Sequence, residues 1–242
     1  MKKNKKITVS FVIPVYNEAA IVEDRIKQLY NELGSLIDEF EIILIENGST
    51  DHTLQLCQSL SETPEVVALS IKSANYGLAM KTGILAARGK MIVNFDLDYF
   101  DVDFARQAMT LEPFGYDIIV ASKNHRLSRD TRTSVRKLIS SIYKYMLYYG
   151  FSLRISDTHG IKAWRNDPKL RELVSRTVST YEIFDTELII RSQFEGRKLL
   201  ELPTQVTEIR TSVSHIIPRA FRGGWQILKL WFVLNGKERN KH

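Results

Sequence analysis

Cysteine is nearly absent from this chain of 242 residues: Cys57 stands alone. One thiol cannot form an internal disulfide framework, so the fold must rest on its core, and the usage fits a reducing compartment. Long apolar runs are missing too. No stretch approaches the about 18 uninterrupted apolar residues expected of a membrane-spanning helix. The basic start, Met1-Lys2-Lys3-Asn4-Lys5-Lys6, leads into a short apolar run interrupted at Pro14, without the cleavage pattern of a secretory signal. There is no internal repeat and no low-complexity linker. None of the five histidines has a cysteine or a second histidine at metal-ligand spacing, which argues against zinc.

What remains is the composition of an ordinary soluble protein, 44% hydrophobic and 26% charged. The length is enough for a full core. A net charge of +6 and a pI near 9.3 favour anionic partners: nucleotide diphosphates, acidic lipids or nucleic acid. Nucleic acid would require a basic surface with exposed stacking residues, and the carboxylate-rich strand ends described next argue against it.

Apolar runs of strand length alternate with helical patterns. Tyr116 to Ser122 and Lys198 to Leu202 read as later strands, and Ile7 to Ile13, Phe40 to Ile45, Val66 to Ile71 and Met91 to Asp98 as buried strands of the first hundred residues. Between them lie helices from about Glu18 to Leu33, with Asn17 as N-cap and Gly34 as terminator, from Thr53 to Leu60, and from the Asn75-Tyr76-Gly77 turn to Arg88-Gly89. Four such alternations predict a doubly wound, mostly parallel α/β sheet flanked by helices. Ligands bind at the carboxyl ends of the strands in such sheets. The polar clusters after Ile13, Ile45, Ile71 and Phe95 all fall on that edge.

The Met91–Asp98 run ends in Asp96-Leu97-Asp98. Strand alternation puts the two carboxylates on one side. Paired hard oxygens suit Mg²⁺ or Mn²⁺ together with substrate phosphates, although a bare Asp-x-Asp is equally consistent with two solvated loop residues. Asp101 reads as the N-cap of the following helix.

Taken together, Val12-Ile13-Pro14-Val15-Tyr16-Asn17-Glu18, Glu46-Asn47-Gly48-Ser49-Thr50-Asp51, Asn75-Tyr76-Gly77 and Asp96-Leu97-Asp98 resemble the motifs of family 2 glycosyltransferases of the GT-A fold, in family order and spacing. Asp157-Thr158-His159-Gly160-Ile161-Lys162, Phe184-Asp185-Thr186-Glu187-Leu188 and Glu201-Leu202-Pro203 are similar to the dolichyl-phosphate mannose synthase and polyprenyl-phosphate glycosyltransferase branch. The resemblance reaches residue 215 or so. It implies a GT-A domain over residues 1–215, and 216–242 is left as an amphipathic helical extension with a basic tail.

The same resemblance implies roles. Pro14, Tyr16, Glu18, Glu46, Asn47, Asp51, Asn75, Lys81, Asp96 and Lys123 would face the nucleotide sugar. Tyr16 has a ring to stack on a base, and Glu18 a carboxylate to accept from ribose or base donors. Asp51 serves equally well as a helix cap. Asp96 and Asp98 would hold the metal. Asp157, His159, Arg210 and Ser214 would meet an acceptor phosphate, with Arg210 a bidentate clamp. Asp185, Glu187 and Asp157 are candidate bases, should the acceptor be a hydroxyl. Departures from the family pattern fall at Glu46 and Asn47, where two aspartates are usual, at Ala79 in place of a glycine, at Phe100 where a third polar ligand often stands, and at His215 in place of a lysine.

Two further stretches point to a surface. Ser134 to Phe151 has a helical apolar stripe at Val135, Leu138, Ile139, Ile142, Met146 and Tyr149, surrounded by Tyr143, Tyr145, Tyr148 and basic residues. Ile216 to Leu234 sets Arg219, Arg222 and Lys229 among Trp225, Trp231 and Phe232. Both suit a membrane interface, and both suit ordinary packing on the domain or on another subunit. The expected activity is metal-dependent, inverting transfer of a sugar to a polyprenyl phosphate at the cytoplasmic membrane face. The alternatives are a hydroxyl acceptor or a silent nucleotide-binding subunit. Sugar, base and lipid stay open.

Overall fold

A computed structural model describes residues 7–123, 125, 127–130, 134–153, 155–179, 183–206 and 216–238; of these, only the backbone is described at 129, 130, 135, 136, 205, 206, 216–221 and 235–238. In chain order the elements are β1 (Val9–Val15), α1 (Val22–Gly34), β2 (Phe40–Asn47), α2 (Thr53–Leu60), β3 (Val66–Ile71), α3 (Tyr76–Ala86), β4 (Met91–Asn94), α4 (Val102–Leu111), β5 (Ile118–Ser122), β6 (Arg129–Asp130), α5 (Ser134–Phe151), β7 (Lys162–Arg165), α6 (Pro168–Arg176), α7 (Phe184–Phe194), β8 (Leu199–Pro203), β9 (Gln205–Val206) and α8 (Ile216–Glu238).

The main sheet has the order β3-β2-β1-β4-β7-β5-β8. β1 pairs in parallel with β2 and β4, β2 with β3, and β5 with β8. β7 alone runs the other way, between β4 and β5. This is the mostly parallel, helix-flanked GT-A architecture expected, with β7 the strand that the sequence pattern did not reveal. β6 and β9 form a separate parallel pair.

Period-two alternation gives the sheet two buried faces. Phe11, Ile13, Ile42, Leu44 and Val93 face the side covered by α1, α2 and α4, while Val12, Ile43, Ile45, Ile92 and Trp164 face α3, α6 and α7. Each such side chain contributes about 1.5–3 kcal/mol through burial. At the edge away from the ligand side, the buried Glu41 carboxylate accepts from Ser10 Oγ at 2.6 Å and from Arg88 N at 2.7 Å. It also accepts from Arg88 Nε and Nη2. One carboxylate thereby ties β1, β2 and the α3–β4 turn together.

Several boundaries differ from the sequence reading. α1 begins at Val22, not at Glu18, and Asn17 does not cap it. Asn17 stands in the left-handed region at φ 53° and uses its side chain on the neighbouring loop instead. Gly34 is the last helical residue, followed by Ser35. Asp101 does cap α4, accepting from Phe104 N at 2.8 Å.

Both helices with surface-type patterns form. Along α8, Ile227, Leu230 and Leu234 are buried and join Leu147 and Phe151 of α5 in the second core cluster. Trp225, Leu228, Trp231 and Phe232 stay exposed, as do Leu138, Ile142, Tyr145, Tyr148 and Tyr149 of α5. The two helices approach at glycine: a Cβ on Gly223 would fall 1.6 Å from Tyr143 Oη. Gly223→Ala should therefore push α8 off α5, destabilising the fold by about 1–3 kcal/mol as overpacking does. Thermal unfolding with tryptophan emission would register the change. Adding Tyr143→Phe should recover part of the loss; no recovery would place the strain elsewhere.

Candidate active site

Because β7 is antiparallel, its first residue lies at the same edge as the last residues of its neighbours: Lys162 pairs with Asn94 and Val120. The segments after β1, β2, β3, β4 and β5 and the one before β7 consequently share one edge.

The β1 and β2 loops are strapped to each other. Asn17 Oδ1 accepts from Thr50 N at 2.8 Å, and Asn17 N donates to Ser49 Oγ at 3.0 Å. Glu18 N donates to Thr53 Oγ1 at 2.9 Å, and Ala19 N to Asp51 Oδ2 at 3.2 Å. Asp51 also accepts from Thr53 N, and the Thr53 hydroxyl is the main influence holding its carboxyl below the usual range. Its visible work is to hold these loops. Pro14 lies within β1 opposite Ile45, while the Tyr16 ring is 44% exposed at the strand exit. Glu46 is buried and accepts from Ser49 N. Asn47 Oδ1 accepts from Asn75 N at 2.7 Å, and Asn75 Oδ1 caps α3 through Leu78 N at 2.9 Å. Its amide therefore sets the third loop where a second charge was expected. Lys81 is not brought into this group; its Nζ donates to the carbonyl of Ser175 at the end of α6.

The two aspartates are not on a continuing strand. β4 stops at Asn94, and Asp96 and Tyr99 exchange both backbone hydrogen bonds at 3.2 Å, closing a tight turn. Leu97 points into the core, whereas Asp96 and Asp98 are both exposed. Turn geometry, not alternation, presents the carboxylates together. Asp96 is open to solvent on one side and walled by protein elsewhere. That lost solvation, then the charge of Asp98, pushes its carboxyl up to about 6, with Asp185 adding and Lys162 and Lys123 opposing. Hard divalent ions are typically held by one or two carboxylates plus substrate phosphates and water. Two exposed carboxylates on one turn fit that donor set. Among the described residues no larger cluster of His, Cys, Asp or Glu competes for the ion.

Across the edge, Asp157 is buried and receives Lys123 N at 3.1 Å and His159 N at 2.8 Å. Burial would raise this carboxyl, but the charge of Lys123 and those N–H donors outweigh it and hold it low. Glu201, in β8, receives Ser156 N, Ser156 Oγ and Asp157 N. His159 is exposed, and its ring meets Tyr143 of α5 edge-on with centroids 6.0 Å apart. Gly160 is obligatory here, since a Cβ would fall 2.0 Å from the Ala121 carbonyl oxygen.

The other two candidate bases, both on α7, are engaged as well. Asp185 Oδ2 accepts from Lys162 Nζ at 2.9 Å and from Tyr76 Oη at 3.0 Å, while Oδ1 is buried without a partner. Burial, with Asp185 and Asp96 adding, pushes the Tyr76 phenol well up, which keeps it a donor. Glu187 is a structural anchor and not an exposed base. Fully buried, it accepts from Arg191 Nε at 2.6 Å and from the amides of Val178 and Ser179. Arg210 and Ser214 lie outside the described residues.

Sequence reasoning passed over Lys162 and Tyr76 as side chains, and Arg25 altogether. Lys162 follows the Asp157–Gly160 motif and is fully buried, so only the pairing of β7 with β4 reveals its place.

Comparison with known proteins bears on this arrangement. The family model for glycosyl transferase family 2 matches residues 10–174. An undecaprenyl-phosphate 4-deoxy-4-formamido-L-arabinose transferase of Shewanella sediminis is 30% identical over 174 residues, which is 67% of this chain and 52% of that protein. The chain thus spans about half the length of that relative. A human dolichyl-phosphate beta-glucosyltransferase is 27% identical over 231 residues, 84% of this chain and 68% of that one. Among solved structures, mannosyl-3-phosphoglycerate synthase from Rubrobacter xylanophilus aligns with a TM-score of 0.70 at 17% identity, over 96% of this chain and 75% of that one. Glucosyl-3-phosphoglycerate synthase from Mycobacterium tuberculosis, crystallised with Mn²⁺ and UDP, aligns at 0.63 and 16%, over 94% and 79%. These structures share the fold.

The raised Asp96 carboxyl has a signed consequence. A folded pKa of about 6 lies above the usual value of about 3.9, so ionising Asp96 disfavours the folded state. The penalty is complete above the folded pKa and vanishes below the unfolded one. In EDTA, Asp96→Asn should therefore raise Tm at pH 7.5, and the gain should shrink to nothing by about pH 4. A gain independent of pH would show that charge is not its origin.

Proposed function

The chain belongs to glycosyl transferase family 2, and from that premise we propose that it transfers a sugar from a nucleotide diphosphate sugar to a polyprenyl phosphate. One observation carries the choice of acceptor. Asp157, Asp185 and Glu187 are each occupied by cationic or N–H donors. A hydroxyl nucleophile must lose a proton as it attacks, and a positioned base typically supplies about 10²- to 10⁴-fold. A phosphate monoester, with a second pKa of about 6, is already anionic and needs positive charge around it instead. Lys123 stands on that side; His159, whose pKa lost solvation pulls below its usual value, adds an N–H donor there; Arg210 and Ser214 are assigned to it by motif.

In this reading Tyr16, Glu18 and Glu46 receive the nucleoside, on loops fixed by Asn17, Asn47 and Asp51. Asp98 and Asp96 hold Mg²⁺ or Mn²⁺, whose chemistry is to offset charge on the departing diphosphate. An acceptor phosphate oxygen forms a bond to the anomeric carbon as the bond from that carbon to the diphosphate oxygen breaks. The electron pair leaves with the nucleotide diphosphate, and Lys123 and Arg210 neutralise it. Inversion at carbon is taken from the family by analogy.

A polyprenyl acceptor lies in a membrane. Among the described residues no helix is long and apolar enough to cross one. The exposed aromatic faces of α5 and α8, with Lys137, Lys144, Arg222 and Lys229 exposed among them, suit peripheral docking on an anionic cytoplasmic leaflet. The Tyr143–His159 contact ties that surface to the acceptor side. We accordingly read 1–215 as the catalytic domain and 216–242 as its membrane-facing extension. The unpaired Asp185 Oδ1 favours a second reading, a hydroxyl acceptor with Asp185 as its base.

Incubating the protein with a panel of nucleotide sugars, Mn²⁺ and polyprenyl phosphates should yield a lipid-linked sugar, and Asp98→Ala should abolish it. Lys123→Ala and Arg210→Ala should each cost more than Asp185→Asn, Arg210→Ala mainly by weakening acceptor use. Loss of activity in Asp185→Asn with mild effects of Lys123→Ala and Arg210→Ala, all folded, would move the assignment to a hydroxyl acceptor. Separately, the protein should float with anionic liposomes, and Trp231→Ser with Phe232→Ser should release it. Retention of the double variant on vesicles would remove α8 from the interface.

A further inference from the structure

Arg25 belongs to no motif, yet two of its three guanidinium nitrogens bond the turn that carries the aspartates. Nε donates to the carbonyl of Leu97 at 3.1 Å and Nη2 to the carbonyl of Asp98 at 3.2 Å. Nη1 donates to Gln28 Oε1 at 2.7 Å, one turn further along α1, which orients the group. The guanidinium carbon lies 4.2 Å from the centroid of the Phe100 ring, the residue that follows the turn. Phe100 in turn packs near Phe95, at 6.2 Å between centroids, so the platform is continuous with the core on the other side of the turn.

We propose that Arg25 is a positioning residue for the divalent ion, holding the Asp96–Tyr99 turn so that both carboxylates are presented together. The inference rests on the reading of Asp96 and Asp98 as metal ligands. Other restraints on the turn include its own pair of backbone hydrogen bonds, the buried Leu97 side chain, and Tyr99 Oη at 3.2 Å from Thr204 Oγ1. Two adjacent peptide carbonyls facing one side need a donor that is planar and forked. Arginine meets both at once, whereas lysine offers a point charge that cannot span them. Phe100, standing where a polar ligand is often found in the family, thus has a use here as the surface on which the clamp lies.

Charge and geometry make opposite predictions, which permits a clean test. Simple electrostatics says that deleting a cation near the site tightens the binding of Mn²⁺. Positioning says that it weakens it. Free Mn²⁺ would be followed by EPR in titrations of the wild type, Arg25→Ala, Arg25→Lys and Asp98→Asn proteins, with Tm and circular dichroism recorded for each. Groups that orient metal ligands typically alter affinity by about 10- to 100-fold. Both Arg25 variants should lose affinity within that range, Arg25→Lys included, although it keeps the charge, while the far-ultraviolet spectrum is unchanged. Unchanged affinity in Arg25→Lys together with tighter binding in Arg25→Ala would overturn the proposal and leave Arg25 a bystander charge. If the wild type itself binds no Mn²⁺, or binds it equally after Asp98→Asn, the metal reading fails first and this one with it.

Discussion

The antiparallel pairing of β4 with β7 decides what stands beside what in this protein. Four backbone partners, Met91 to Asn94 against Arg165 to Lys162, place the start of β7 next to the end of β4. Trp164 Nε1 reinforces the pairing by donating to Asn94 Oδ1 at 3.2 Å in the core. A parallel strand would have carried the Asp157–Gly160 loop to the opposite edge. Reversal delivers it to the ligand edge, where Lys162 meets Asp185 and Lys123 meets Asp157. Donor side and acceptor side are neighbours because one short strand runs backwards.

Charge at this edge is balanced in pieces. Asp185 is buried and would be costly to ionise alone, and the fully buried Lys162 beside it, also donating to the Gly160 carbonyl, meets that cost. Removing one member of such a pair typically destabilises by about 3–5 kcal/mol, because the survivor is left charged in a poor solvent. Glu187 and Arg191 repeat the arrangement two residues further along α7, where the carboxylate fixes the chain at Val178 and Ser179. Asp96 is the exception. Its neighbours leave it less comfortable as an anion than a free aspartate, which is the condition a cation would relieve.

Most of the sheet was legible because buried parallel strands are continuous apolar runs. Val66–Ile71 and Thr53–Leu60 have the limits their patterns indicate. β7 was not legible: Lys162-Ala163-Trp164-Arg165 has charged ends and four residues, too few for periodicity to register. Asn17 misled for a physical reason, since the side chain that caps helices so well is here bonded to Thr50 in the neighbouring loop. The Asp-x-Asp pair was found, but its geometry was not, because a turn and a frayed strand share one sequence. Glu187 looked like Asp185 from the sequence and differs in what surrounds it. Arg25 carries no local signal, and Lys162 sits in a motif that does not show what its side chain meets; a lone cation on a helix or strand acquires meaning only from the partners that folding brings to it.

The reversed strand also has a temporal side. Until β7 has been made, β4 is the open margin of the first four strands, and its apolar residues Met91, Ile92 and Val93 lie next to unpaired backbone groups. Ribosomes add about 5–20 residues per second, and the whole of α4, β5 and α5 must emerge first, so that margin waits for seconds. An uncovered apolar strand is a template for pairing with another chain. A nascent copy of this protein is therefore most vulnerable to aggregation just before Lys162 leaves the tunnel. Slower synthesis between Asp101 and Gly160 would lengthen that exposure without altering a single contact of the finished fold.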